Sequence, residues 1–285
     1  MVRRYLLAGV VLVALGGSGA LARLYVDGML PAGVPESAPP LDDAKLAEAL
    51  GAVDLSGAVD FEGLKKNRAP LDAFVAALAK TSPDTAPEKF KDPADQLAFW
   101  LNAYDALALQ ALVDRWPEVG SPDALWLGRF YWGLSWPVGG KRLTLRAIEK
   151  RLSDGLGDPR ALLALACGAK SCASLDTTPF MGATVDGQLN DAVRRFMADE
   201  ANTRLDGKTV HLSPLLQRHQ AELVAALPEG RRSVLQFVWA FLPDACRVPE
   251  SHCLVRADLD KACGPKLDGC TLAFEKWDGA VRVRR

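Results

Sequence analysis

Residues 92–116 read DPADQLAFWLNAYDALALQALVDRW. Leu97, Trp100, Leu101, Tyr104, Leu107, Ala108, Ala111 and Leu112 recur at i, i+3, i+4, which predicts a helix with a continuous apolar stripe. Phe99 and Leu109 fall off that stripe, so most of the circumference is expected to be buried. Pro117 stops the helix. Asn102 and Asp105, three apart, share a face of it. A buried amide needs partners, so Asn102 either ties the helix to a neighbouring backbone or lines a site.

Shorter helical patterns surround this one. LDDAKLAEALGAV (41–53) is amphipathic, with Asp42 and Asp43 in its first turn. Leu71, Phe74, Val75 and Leu78 share one face of the next segment. KRLTL (141–145) is a strand candidate, and LRAIEKRLSDGL a helix ending near Gly155 or Gly157. DPRALLALACGAK opens on Asp158 as N-cap and Pro159 in the first turn, and is read as a helix ending at Cys167. Helices are also expected over GQLNDAVRRFMADEANTRL (187–205), PLLQRHQAELVAAL and SVLQFVWAFLP (233–243), and a strand over KTVHLSP. HCLVRA and CTLAFEKW are strand-like stretches of the last forty residues. The fold class is therefore α+β, mainly helical: a single domain over 43–245, a small antiparallel sheet, and a cysteine-stapled, β-rich C-terminal cap over 246–285 packed on it.

The chain has 285 residues, 49% hydrophobic and 24% charged, with 34 basic and 35 acidic side chains. No basic excess exists to neutralise phosphates, which argues against nucleic acid as a partner. MVRRYLLAGVVLVALGGSGALA (1–22) has Arg3 and Arg4, an apolar run from Tyr5 to about Leu15, and Ala20-Leu21-Ala22. That is a signal-peptide layout, too short for a ~20-residue membrane span, with a signal anchor as the alternative. Residues 23–42, rich in Pro, Gly and Ala, read as a tether. The expected location is periplasmic or extracellular, with the membrane touched only through an uncleaved N-terminus.

All six cysteines (Cys167, Cys172, Cys246, Cys253, Cys263 and Cys270) follow that segment, and an even number in an exported chain favours disulfides, of which six thiols allow 15 complete pairings. Residues 118–140 carry Trp126, Phe130, Tyr131, Trp132 and Trp136 among glycines. Such rings either plug the core or form a binding wall; Trp126, Tyr131, Trp132 and Trp136, with Lys170, are the candidate binding residues.

Five stretches, VDFEGLKKNRAPLDAFVAAL, QLAFWLNAYDALALQAL, LTLRAIEKRL, DPRALLALACGAKSC and QLNDAVRRFM, resemble the uncharacterised family catalogued as domain of unknown function 547. The resemblance runs over about residues 57–245 and carries no settled activity. Three positions depart from it. Lys150 and Leu162 stand where the family carries histidines, and Asp105 where it carries a second asparagine.

CGAKSC (167–172) admits several chemistries. A nucleophilic cysteine needs a base or a cation. With His211 downstream as base, in papain-like order, and Asn102 or Glu149 orienting, Cys167 would serve a hydrolase or acyl transferase acting on a peptide or amide bond. Alternatively Cys167 and Cys172 close a small disulfide loop, with Gly168 allowing the turn. The C-x4-C spacing lacks a second close pair for a metal, and no motif calls for a cofactor. The leading expectation is a non-catalytic binding or structural module of the cell envelope, whose partner is an envelope protein or a small molecule.

Overall fold

The computed structural model describes residues 38–125, 129–246 and 253–284. The 1–22 segment, the tether as far as residue 37, Trp126 and residues 247–252 lie outside the described residues. The chain enters through three helices: α1 (Asp43–Leu50), α2 (Phe61–Lys66) and α3 (Ala69–Leu78). The central helix α4 runs Pro93–Val113. Asp92 caps it by accepting the Ala94 N–H at 2.8 Å, and Pro93 occupies the first turn, where no N–H is needed. From Leu97 to Val113 every side chain except Gln110 is buried. Helices α2 and α3 and two later helices pack around it. Each fully buried leucine, such as Leu101 or Leu107, contributes ~1.5–3 kcal/mol of transfer free energy.

A one-turn helix α5 (Arg129–Trp132) precedes the hairpin of β1 (Trp136–Val138) and β2 (Lys141–Leu143). Gly139 turns this hairpin at φ +53°, and a Cβ there would stand 2.0 Å from Ser82 Oγ. The tip is bonded to the end of α3 through Gly139 N–H to the Leu78 carbonyl at 2.8 Å. Helix α6 (Leu145–Gly155) follows, capped by the Thr144 hydroxyl. Its Leu145, Ile148, Glu149 and Leu152 face inward, so Glu149 lies on the apolar face.

The expected helix over 158–170 is a correction. Only Pro159–Leu163 turns, as a 3-10 helix, and Cys167 lies in irregular backbone beyond it. Ala161 through Cys167 are all buried, so the run has no polar face to set a helical period. The Ala166 N–H donates to the Asp105 carboxyl at 2.9 Å instead of to a helical carbonyl. Helix α7 (Val185–Ala198) then packs against α4 and the 3-10 turn.

The second sheet holds β3 (Thr203–Asp206), β4 (Thr209–Leu212) and β5 (Thr271–Phe274). The β3–β4 pair is antiparallel, but β5 joins β4 in parallel, with His211 opposite Ala273. The sheets are therefore not wholly antiparallel. A chain returning from the far end of the domain can add in either direction, because no tight hairpin constrains it. PLLQRHQAELVAAL forms α8 (Pro214–Arg218) and α9 (Gln220–Ala225), broken at His219. Then come α10 (Val234–Phe241) and α11 (Arg256–Cys263).

Within HCLVRA the described residues 253–257 form no strand: helix begins at Arg256, and Leu259 and Cys263, four apart, bury one face of it. The cap is thus one helix and one strand. Cys263–Cys270 joins the end of α11 to the start of β5, and Cys246–Cys253 closes the chain ahead of α11. The C-terminal end pairs with the start of the domain, Val59 N–H donating to the Arg282 carbonyl and Arg284 N–H to the Val59 carbonyl, each at 3.0 Å. Among the described residues no helix is long and apolar enough to cross a membrane.

Candidate functional site: a buried Glu–His cavity closed by a disulfide

Helices α4, α5, α6 and α8 and the 162–172 segment enclose one small polar cavity. Its walls are Tyr104, Tyr131, Glu149, Leu162, Leu165, Cys167, Cys172, Leu215, Arg218 and His219. The free volume is about 20 Å³, enough for a single water. Glu149 is the centre of its charge. The carboxylate accepts from Arg146 and stands 3.4 Å from an Arg218 guanidinium nitrogen through either oxygen. His219 Nε2 lies 3.6 Å from Glu149 Oε1, and the histidine is only 5% exposed. That distance is long for a direct hydrogen bond and short enough to orient the ring.

Burial holds the His219 imidazole well below its usual value, at about 4, and Arg218 and Arg146 add to this by charge repulsion. The ring is thus neutral at neutral pH and able to accept a proton. The two arginines already share the Glu149 charge, which limits its pull on the ring. Tyr104, with its hydroxyl, is buried on the cavity wall. Burial, then the Glu149 charge, pushes that hydroxyl well above its ordinary value, so it stays a neutral group on the wall. The Tyr131 hydroxyl lies 3.5 Å from both the sulfur and the carbonyl oxygen of Cys167.

Cys167 is bonded to Cys172, with Cα atoms 5.7 Å apart, inside the normal disulfide range. Gly168 turns the loop at φ +87°, where a Cβ would strike Leu112 at 2.7 Å. The C-terminal strap holds the loop from outside. Lys170 N–H donates to the Ala280 carbonyl at 2.8 Å, and Asp278 N–H to the Ser171 hydroxyl at 2.7 Å. Arg282 donates to the Lys170 carbonyl at 2.7 Å.

The dyad expected from sequence does not form. Cys167 carries no thiol here, and His211 on β4 points into a surface cluster, its Nδ1 3.0 Å from Arg204 and from Glu275. Asn102 is not beside the cysteine chemistry either. Its amide donates to the Phe180 carbonyl at 2.9 Å and accepts the Phe180 N–H at 2.8 Å, so both polar ends tie α4 to that loop. Glu149 and Tyr131 do meet Cys167 in the cavity. Trp132 is 42% exposed and Trp136 half-buried. Lys170 lies on the outer surface of the loop, facing a separate groove with Arg204, Glu275 and Arg282.

His219, Arg218, Arg146 and Tyr104 were not picked out by sequence. A signal for His219 exists, because it continues the buried series Leu215, Leu216, Leu223. Leu162, where the resembling family carries histidine, lines this same cavity, whereas Lys150 points outward and pairs with Asp154. Asp105 lines a second cavity of about 30 Å³ with Phe61, Leu109 and Arg282. Burial raises its carboxyl to about 8, so it is protonated at neutral pH and keeps a donor, as an asparagine would.

The model of the family described as "Protein of unknown function, DUF547" matches residues 87–197, which carry α4, α6, the disulfide loop and most of the cavity wall. Arg218 and His219 lie outside that match. No curated protein and no solved structure matches the chain. Among the described residues no group of three or more His, Cys, Asp or Glu is placed to hold a metal ion. All six cysteines are paired in three disulfides, the state of a chain folded in an oxidising compartment.

Proposed function

We propose that this chain is an exported domain of the cell envelope that binds rather than catalyses in its oxidised form. One observation carries the reading: Cys167, the sulfur beside the cavity that holds His219, is bonded to Cys172. The cavity therefore has acid–base groups but no free nucleophile. While the disulfide is closed it is also too small for a substrate.

The contact surface on this reading is the α5–β1 segment, with Trp132 exposed and Tyr131 and Trp136 half-buried. Rings that are partly wet suit contact with a protein or a small molecule. The N-terminal segment with Arg3, Arg4 and Ala20-Leu21-Ala22 supplies the export signal.

The full chain expressed in a Gram-negative host tests the export half. A mature form beginning at Arg23 in the periplasmic fraction is expected; a cytoplasmic full-length chain with free thiols would overturn it. Co-sedimentation of the mature chain with isolated cell envelopes tests the binding half. Trp132→Ala is expected to reduce the pelleted fraction. No sedimentation above a buffer control would overturn the binding role.

A further inference from the structure

The cavity assembles a base, an orienting carboxylate and one arginine beside a cysteine held in a disulfide. His219 is nine-tenths buried, is neutral, and lines the same cavity as Cys167. Glu149 stands 3.6 Å behind its Nε2. Arg218 lines the wall, and the Tyr131 hydroxyl lies 3.5 Å from the sulfur. A purely structural staple needs none of these groups. A buried glutamate and a buried histidine carry desolvation costs that an apolar wall would avoid.

We propose that Cys167–Cys172 is a redox latch over a thiol site, in which Cys167 is the nucleophile, His219 its base and Glu149 the positioning residue. The unlocking reagent is a dithiol. Its two thiols deliver two electrons and two protons, the Cys167–Cys172 bond breaks, two protein thiols form, and the reductant closes to its own disulfide. His219 then takes the Cys167 proton, and the thiolate adds to an acyl carbon. The leaving group departs with the proton from the imidazolium, which leaves a thioester on Cys167. Water cleaves that thioester and restores the thiol.

Arg218 on the cavity wall and Arg146, which pairs with Glu149, are each about half exposed, with side-chain exposures of 42% and 50%. They favour a peptide or amide that carries a carboxylate close to the bond attacked. The strap at 278–282 grips the outer side of the loop, so the latch opens where the strap's hydrogen bonds to Lys170 and Ser171 are released.

This inference goes beyond the binding role and does not depend on it. Its test needs no substrate. The folded full chain is reduced with dithiothreitol and alkylated with iodoacetamide from pH 6 to 9, and each cysteine's rate is read by mass spectrometry. Cys172, from the same disulfide, is the internal reference. Cys167 is expected to react ~10-fold faster than Cys172 at pH 7, as for a thiol whose ionisation lies one unit below the ordinary 8.5 or more. Arg218→Gln is expected to bring Cys167 down to the Cys172 rate, because the neutral His219 ring adds no charge to favour the thiolate. In the unsubstituted chain the Cys167 rate is expected to show its inflection at pH ~7.5, a readout that stands if the variant fails to fold. Equal rates for the two cysteines, an ordinary inflection near pH 8.5, or a pair that stays oxidised while the protein remains folded would each overturn the proposal.

Discussion

His219 Nε2 lies 3.6 Å from Glu149 Oε1, and both side chains are buried beneath the mouth formed by Tyr131 and Arg218. The two residues come from elements about seventy positions apart. What joins them is the packing of α6 and the α8–α9 break around the same polar cavity. The histidine is held neutral by burial and by two arginines, so its protonation opposes folding.

The pH dependence follows from that. The His219 value is lowered from 6.5 to about 4 in the fold, so the unfolded chain binds the proton first as pH falls. The stability contribution is complete above about pH 6.5 and is lost as pH falls towards 4, with a loss of ~1–3 kcal/mol. His219→Gln lacks this term. The stability gap between the two proteins, from urea unfolding at pH 7 and pH 4.5, should therefore move in favour of the variant at the lower pH.

Asp105 behaves in the opposite sense. Its folded value is raised from 3.8 to about 8, so the folded chain holds a proton that the unfolded chain releases. Stability from this group is complete below about pH 4 and is lost as pH rises to about 8, at up to ~1.4 kcal/mol per pH unit. Asp105→Asn keeps the acceptor for the Ala166 N–H. The variant should melt higher than the parent at pH 8, and the difference should close by pH 4.

Asn102→Ala removes both hydrogen bonds to Phe180 and leaves that backbone N–H and carbonyl unpaired in the core. A loss of ~2–4 kcal/mol is expected, seen as a lower urea midpoint with little change in slope.

Replacing Cys167 and Cys172 together by alanine opens a loop of sequence separation 5. Loop-closure entropy puts the cost at ~2 kcal/mol, a small value because the loop is short. Thermal melting of the double variant should show a modest drop and a retained fold.

The helical frame was legible because α4 carries an unbroken apolar series and α6 a clear amphipathic one. The 158–167 run misled because a segment buried on all sides has no period to read. HCLVRA misled in the other direction, since a short apolar stretch does not distinguish a strand from the first turn of a helix. At the site, Glu149 and Tyr131 line the cavity with Cys167 and His219, and His211 does not. Sequence places neither histidine near Cys167. That choice is made by the β3–β4 hairpin, which turns His211 towards Arg204 and Glu275, and by the helix break that puts His219 into the cavity.

The central claim is that a closed disulfide forms the wall of the Glu149–His219 cavity. It is tested most directly by alkylating the native chain without reductant, digesting it and reading every cysteine by mass spectrometry. Linked peptides for Cys167–Cys172, Cys246–Cys253 and Cys263–Cys270 are predicted, with no alkylated Cys167. A free Cys167, or Cys167 joined to any other cysteine, would contradict the account.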